Sequence, residues 1–157
     1  MKFFERWKRK NINGVLEEKP SLMLYDYETV CGAANEDEEI PETFRISEDR
    51  IPDCRDQKTT GQCVAFSSTN ILQILNQIET GERIRFSTTY AYGRHRQEAE
   101  RTMEGMYVSD VMKGMTIRGS VPEENMNVLL EVPEAYDYVY SSPNLEELDR
   151  IAEKYKI

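Results

Sequence analysis

Between Cys63 and about Glu79 the apolar residues Ile71, Ile74, Leu75 and Ile78 fall at helical spacing, and Gly81 stands where a helix commonly stops. The spacing predicts a helix buried along one face, which obliges the chain to set other elements against that face. Those elements are legible downstream. The extended stretch Arg83 to Phe86 leads into a shorter helix over Ser87 to Arg96, with Ser87 as its cap. A third helix runs from Ser109 to about Arg118, with Ser109 as cap, Val111, Met112 and Met115 as its inner face, and Gly119 as terminator. Pro122, Pro133 and the apolar run Val128 to Leu130 mark loops and short extended pieces. Ser142-Pro143 opens a last helix, with Leu145, Leu148, Ile151, Ala152 and Tyr155 on one side. The expected core therefore holds Phe66, Ile71, Ile74, Leu75, Ile78, Val111, Met112 and Met115.

A chain of 157 residues suits one compact domain, and 39% hydrophobic with 31% charged residues is ordinary for a globular protein. The formal net charge of -9 argues against nucleic acid as a partner, because an acidic surface repels phosphate. The first 39 residues read as a distinct leader. They begin with Lys2, Arg6, Lys8, Arg9 and Lys10 around Phe3, Phe4 and Trp7, and end in the acidic run Glu36 to Glu39. The basic aromatic start could touch a membrane surface or pack on its own acidic domain. No apolar run is long enough to span a membrane, and charged or polar residues interrupt every hydrophobic stretch where a secretory signal would lie. The expected location is cytoplasmic or virion-associated.

The cysteines are Cys31, Cys54 and Cys63, an odd number without zinc-ligand spacing, and His95 is the single histidine. Neither a disulfide framework nor a metal site is expected, and no cofactor is implied. Cys63 opens the strongest helix, where free backbone N–H groups and the helix dipole favour an anion. Gly61 allows close backbone approach just before it, and Gln57 lies six residues upstream on a loop that could return its amide towards the thiol. A glutamine amide and the Cys63 backbone N–H would together supply two donors for the oxyanion of acyl transfer. Residue types alone leave a second reading open, since a cysteine opening a helix also serves as a small buried hydrophobe.

The stretch IPETFRISEDRIPDCRDQKTTGQCVAF, from Ile40 through Phe66, resembles the start of mature papain-family cysteine peptidases. There an Ile/Leu-Pro opening leads through an Asp-Gln or Asn-Gln pair to Gly-x-Cys-x-Ala-Phe. The resemblance implies that Gln57 is the oxyanion-hole glutamine, that Cys63 is the nucleophile, and that Ala65 and Phe66 pack behind it. More weakly, Gly105, Met106 and Tyr107 resemble the glycine-rich backbone beside the substrate cleft, which makes Gly61, Gly105 and Met106 candidate substrate contacts. An ordinary turn before the third helix is the plain alternative for Gly105 and Met106. The fold so implied is the helical left-hand domain of the papain architecture, formally α+β in a whole enzyme and mostly helical over residues 40–157, without the second, barrel-like domain. The implied partner is a peptide or protein substrate.

Two departures qualify the resemblance. Thr60 and Val64 stand where secreted members usually carry a disulfide cysteine and a tryptophan, which suits a bacterial or phage-type branch working in a reducing compartment. The catalytic histidine of the family, with its asparagine, follows the cysteine by roughly 130 residues or more. Ile157 comes before that point, and His95 sits in Tyr92-Gly93-Arg94-His95-Arg96, where it reads as a surface residue. The expectation is a thiol-bearing half that needs a downstream domain or partner chain to supply the base. The alternative is a catalytically inactive, peptidase-like binding module, structural component or inhibitor. The leader could cover the cleft, or simply pack on the domain.

Overall fold

The computed structural model describes residues 45–100, 104–128, 130 and 142–157. The leader, with Cys31, and residues 40–44 lie outside the described residues, as do Leu129 and Pro133. Among the described residues four helices carry the fold: α1 (Cys63–Thr80), α2 (Thr88–Glu98), α3 (Val108–Ile117) and α4 (Leu145–Ala152), with a 3-10 turn at Glu48–Arg50 ahead of them. Gly81 ends α1, its N–H donating to the Gln77 carbonyl at 3.0 Å. Ser87 caps α2 as its sequence position predicts, its Oγ accepting from the Tyr90 N–H at 3.2 Å. The cap of α3 is Tyr107 rather than Ser109, which falls inside the first turn.

Helices α1, α2 and α3 pack together around Val64, Ala65, Leu72, Phe86, Ala91, Tyr92, Met106, Val111 and Met115. A second cluster, Tyr90, Val121, Met126, Leu148 and Ala152, attaches α4 to the outer side of α2. Between them the described residues form one β-bridge. Ser87 N–H donates to the Val121 carbonyl and Glu123 N–H to the Arg85 carbonyl, both at 2.8 Å, around an antiparallel bridge of Phe86 with Pro122. The C-terminal residues close the unit: Ser120 N–H donates to Tyr155 O, and Ile157 N–H to Met115 O. Gly119 has φ +87°, and a side chain there would collide with the Ala152 and Tyr155 carbonyls, so glycine is required on both counts.

The expected orientation of α1 is reversed. Ile71 and Ile78 remain 44% and 47% exposed and Ile74 and Leu75 are only half-buried, whereas Ser68, Thr69 and Gln73 are buried beside Ala65 and Leu72. The polar face can turn inward because its groups are satisfied there. Ser68 donates to Val64 O and Thr69 to Ala65 O within the helix, and Thr69 and Asn70 accept from the Arg55 guanidinium. Of the expected core, Phe66, Val111 and Met115 are buried and Met112 is half-buried.

Candidate functional site

Cys63 is the first residue of α1 and is partly exposed. Stepping 100° per residue along the helix places it at the head of the outward face that carries Ser67, Ile71, Ile74 and Ile78, at the border with the core cluster against which Cys63 packs. A small groove of about 140 Å³ opens beside it, lined by Ser67, Ile71, Val108, Val111 and Met112. Its walls come from α1 and α3, and its lining is almost wholly apolar.

The Arg55 side chain anchors the segment leading to Cys63. Arg55 donates through Nη1 to Glu123 Oε1 (2.6 Å) and through Nη2 to Thr69 Oγ1 (3.0 Å) and Asn70 Oδ1 (2.9 Å), and its guanidinium lies 5.0 Å from the Phe66 ring centroid. Beyond it the chain makes a tight turn, in which Asp56 Oδ1 accepts from the Lys58 N–H and Lys58 adopts φ +56°. Gln57 and Thr60 then close on each other: Thr60 N–H and Oγ1 donate to Gln57 O, and Gln57 Nε2 donates to Thr60 O at 2.9 Å. The amide is thus fixed to its own turn, whose last residue, Thr60, stands three before the thiol. An NH₂ group carries two hydrogens, so Gln57 retains a second donor.

Gly61, Gly105 and Met106 are all buried, Met106 to 1%, with its side chain in the main core. The Met106 side chain therefore does not line the groove beside Cys63, and the two glycines offer a ligand backbone only. Gly105 has φ +94°, and its N–H donates to the Tyr92 hydroxyl at 3.2 Å. A Cβ added to Gly61 would lie 3.4 Å from that hydroxyl and 3.4 Å from the Gly105 nitrogen. Tyr92 is itself fully buried beneath the Arg96 guanidinium, which stands 4.6 Å from its ring centroid. Burial raises the phenol above its usual range, the Gly105 N–H and Arg96 partly oppose this, and Glu104 and Cys63 add to it.

His95 is 1% exposed, which overturns the surface assignment made from its charged neighbours. Its Nε2 lies 3.1 Å from the Gly119 carbonyl oxygen, and its ring meets Tyr90 edge-on at 6.4 Å. Burial lowers its pKa to about 4, the Gly119 hydrogen bond opposes this, and the Arg118 and Arg94 charges reinforce it. It is therefore neutral across the physiological range and serves the packing of α2. Cys54 is exposed and free. Among the described residues no cluster of His, Cys, Asp or Glu could hold a metal ion, and no helix is long and apolar enough to cross a membrane.

Arg55 and Tyr92 are the two site residues that local sequence patterns do not disclose. Arg55 finds Glu123 at a separation of 68 residues, and nothing in its neighbourhood announces that partner.

No protein-family model and no curated protein matches the chain. Among solved structures, a papain-like cysteine protease from a study of antibody cross-reactivity between the mite allergens Blo t 1 and Der p 1 is similar in fold, with a TM-score of 0.52 at 17% identity. The match covers 80% of this chain and 38% of that one. The likeness is one of fold.

Proposed function

We propose that the chain forms the thiol-bearing half of a papain-type cysteine peptidase. The observation that carries this reading is the placement of Cys63: a partly exposed thiol on the first residue of a core helix, at the lip of an apolar groove, with a fixed glutamine turn immediately upstream. The fold likeness to a papain-like cysteine protease points the same way.

In this reading the Cys63 thiolate attacks the carbonyl carbon of a peptide bond, forming the S–C bond as the carbonyl electrons move onto oxygen. The second Gln57 Nε2 hydrogen and the Cys63 backbone N–H stabilise that oxyanion, the latter being among the N–H groups that a helix leaves unpaired at its start. Collapse of the intermediate expels the amine, which must leave with a proton. His95 cannot provide it, being buried and bonded at Gly119. In this reading a following domain or a partner chain supplies the base and acid. The outward apolar face of α1, headed by the thiol, is where such a domain would meet this one.

The burial of His95 also favours a second reading, a peptidase-like module that presents the groove to a partner protein without chemistry. Site-resolved labelling with an epoxide or iodoacetamide probe between about pH 5 and 9 separates the two. The peptidase reading expects the epoxide to prefer Cys63 over the exposed Cys54 and Gln57→Ala to abolish that preference. Equal rates at the two cysteines would favour the module.

A further inference from the structure

Two loops meet at the turn that precedes Cys63, and a single hydroxyl stands at their junction. The turn before the thiol passes Gly61, and the segment before α3 passes Gly105. The Tyr92 oxygen accepts the Gly105 N–H at 3.2 Å and lies 3.4 Å from where a Gly61 side chain would begin. Tyr92 does not move freely, because its ring is fully buried in the main core and covered by the Arg96 guanidinium. The hydroxyl therefore couples the rigid α2 to both loops at once. Cys63 packs against the same cluster as Tyr92 and Met106, two residues beyond Gly61. A change in the spacing of the loops must then alter the position of the thiol and of the N–H groups at the start of α1.

We propose that Tyr92 is a positioning residue for Cys63: its hydroxyl sets the spacing between the Gly61 turn and the Gly105 loop, and so fixes where the thiol stands at the groove. The proposal deepens the peptidase reading and rests on it, since it concerns how the same thiol is presented. It assigns Tyr92 no part in bond making.

The test uses the full 157-residue chain and the variant Tyr92→Phe, which keeps the ring and removes only the hydroxyl. Two quantities are read: amide exchange at Gly105, and the iodoacetamide labelling rate of Cys63 relative to Cys54 in the same molecule. Losing the acceptor should speed Gly105 exchange by roughly fivefold to tenfold. The Cys63 to Cys54 ratio should shift by roughly threefold or more, because thiol reactivity follows its immediate surroundings. Gly61→Ala pushes on the same junction from the other side. It should shift the ratio in the wild-type background and shift it less when the hydroxyl is already gone. Faster exchange at Gly105 with an unchanged ratio would overturn the proposal, as would strictly additive effects of the two substitutions. The ratio has meaning whether or not Cys63 outpaces Cys54 in the wild type. A failure of the peptidase reading, seen as equal rates there, is thus distinct from a failure of this one.

Discussion

The imidazole of His95 occupies the space that a side chain on Gly114 would need: a Cβ there would lie 2.8 Å from Nδ1 and closer still to the ring carbons. Helices α2 and α3 approach closely because one residue has no side chain and the other fills the gap with a ring. The ring is then fastened through Nε2 to Gly119, just past the end of α3. This contact supports the layer from which Tyr92 reaches the Cys63 loop.

Gly114→Ala should be destabilising even though alanine is the better helix former. Overpacking a fitted interior costs about 1–3 kcal/mol, against a helix-propensity gain of about 1 kcal/mol. Urea unfolding of the full chain measures the balance. A variant as stable as the wild type would mean that the His95 ring can move aside.

Stability should fall as pH drops from about 6.5 towards 4. His95 has its pKa lowered from 6.5 to about 4 in the folded protein, so in that window the unfolded chain binds a proton that the folded one refuses. Above the unfolded value the residue contributes nothing that varies with pH. Within the window the loss approaches about 1.4 kcal/mol per pH unit. Urea midpoints at several pH values should show this slope, and His95→Gln should flatten it. Asp149 acts lower. Burial works against its ionisation, but hydrogen bonds from Arg94 and Tyr90 and the charges of Arg94 and Arg118 outweigh that and hold its carboxyl below the usual 3.8. Its contribution is therefore present above 3.8 and is lost only as pH falls below that value.

Asp149→Asn should loosen α4 before it affects the three-helix core. The carboxylate accepts from the Tyr90 hydroxyl at 2.7 Å, from Arg94 Nε and Nη2, and from Arg118 Nη1 at 2.8 Å. Replacing one oxygen by an NH₂ turns a donor towards these donors, at a cost of about 2–4 kcal/mol. Amide exchange should accelerate in α4 while α1 keeps its protection. Uniform acceleration across all four helices would contradict this order.

Leu72→Ala and Ile71→Ala, neighbours in sequence, should differ sharply. Leu72 is 2% exposed and its truncation should cost about 2–4 kcal/mol, while Ile71 is 44% exposed and its truncation should cost under about 1 kcal/mol. Thermal or urea unfolding of the two variants checks which face of α1 is inside.

Arg55→Ala should leave the helices in place and free the turn that holds Gln57. Glu123 then loses its 2.6 Å partner, and Thr69 and Asn70 lose theirs, at a cost of about 2–3 kcal/mol. Lysine should not restore the wild type, because a single ammonium cannot reproduce the planar fork. Limited proteolysis should show cleavage between Ile51 and Gln62 in the alanine variant. A resistant loop would assign its order to some other contact.

The sequence by itself determined the helices and their punctuation. Periodicity, Ser87 and the glycines at 81 and 119 are local signals, and local signals specify where a helix begins and stops. It also marked Cys63 and Gln57 as the residues to examine, through a short motif that needs no knowledge of distant partners. Only the tertiary structure decided which way α1 faces, that His95 is buried, and that the Tyr92 hydroxyl joins the Gly105 loop to the turn at Gly61. The reason is the same in each case. A hydrophobic stripe identifies a face that must be covered, but not by what, and a polar stripe turns inward once a residue such as Arg55, far from its partner Glu123 in sequence, arrives to satisfy it. Those pairings exist only after the chain has folded, so no window of residues contains them.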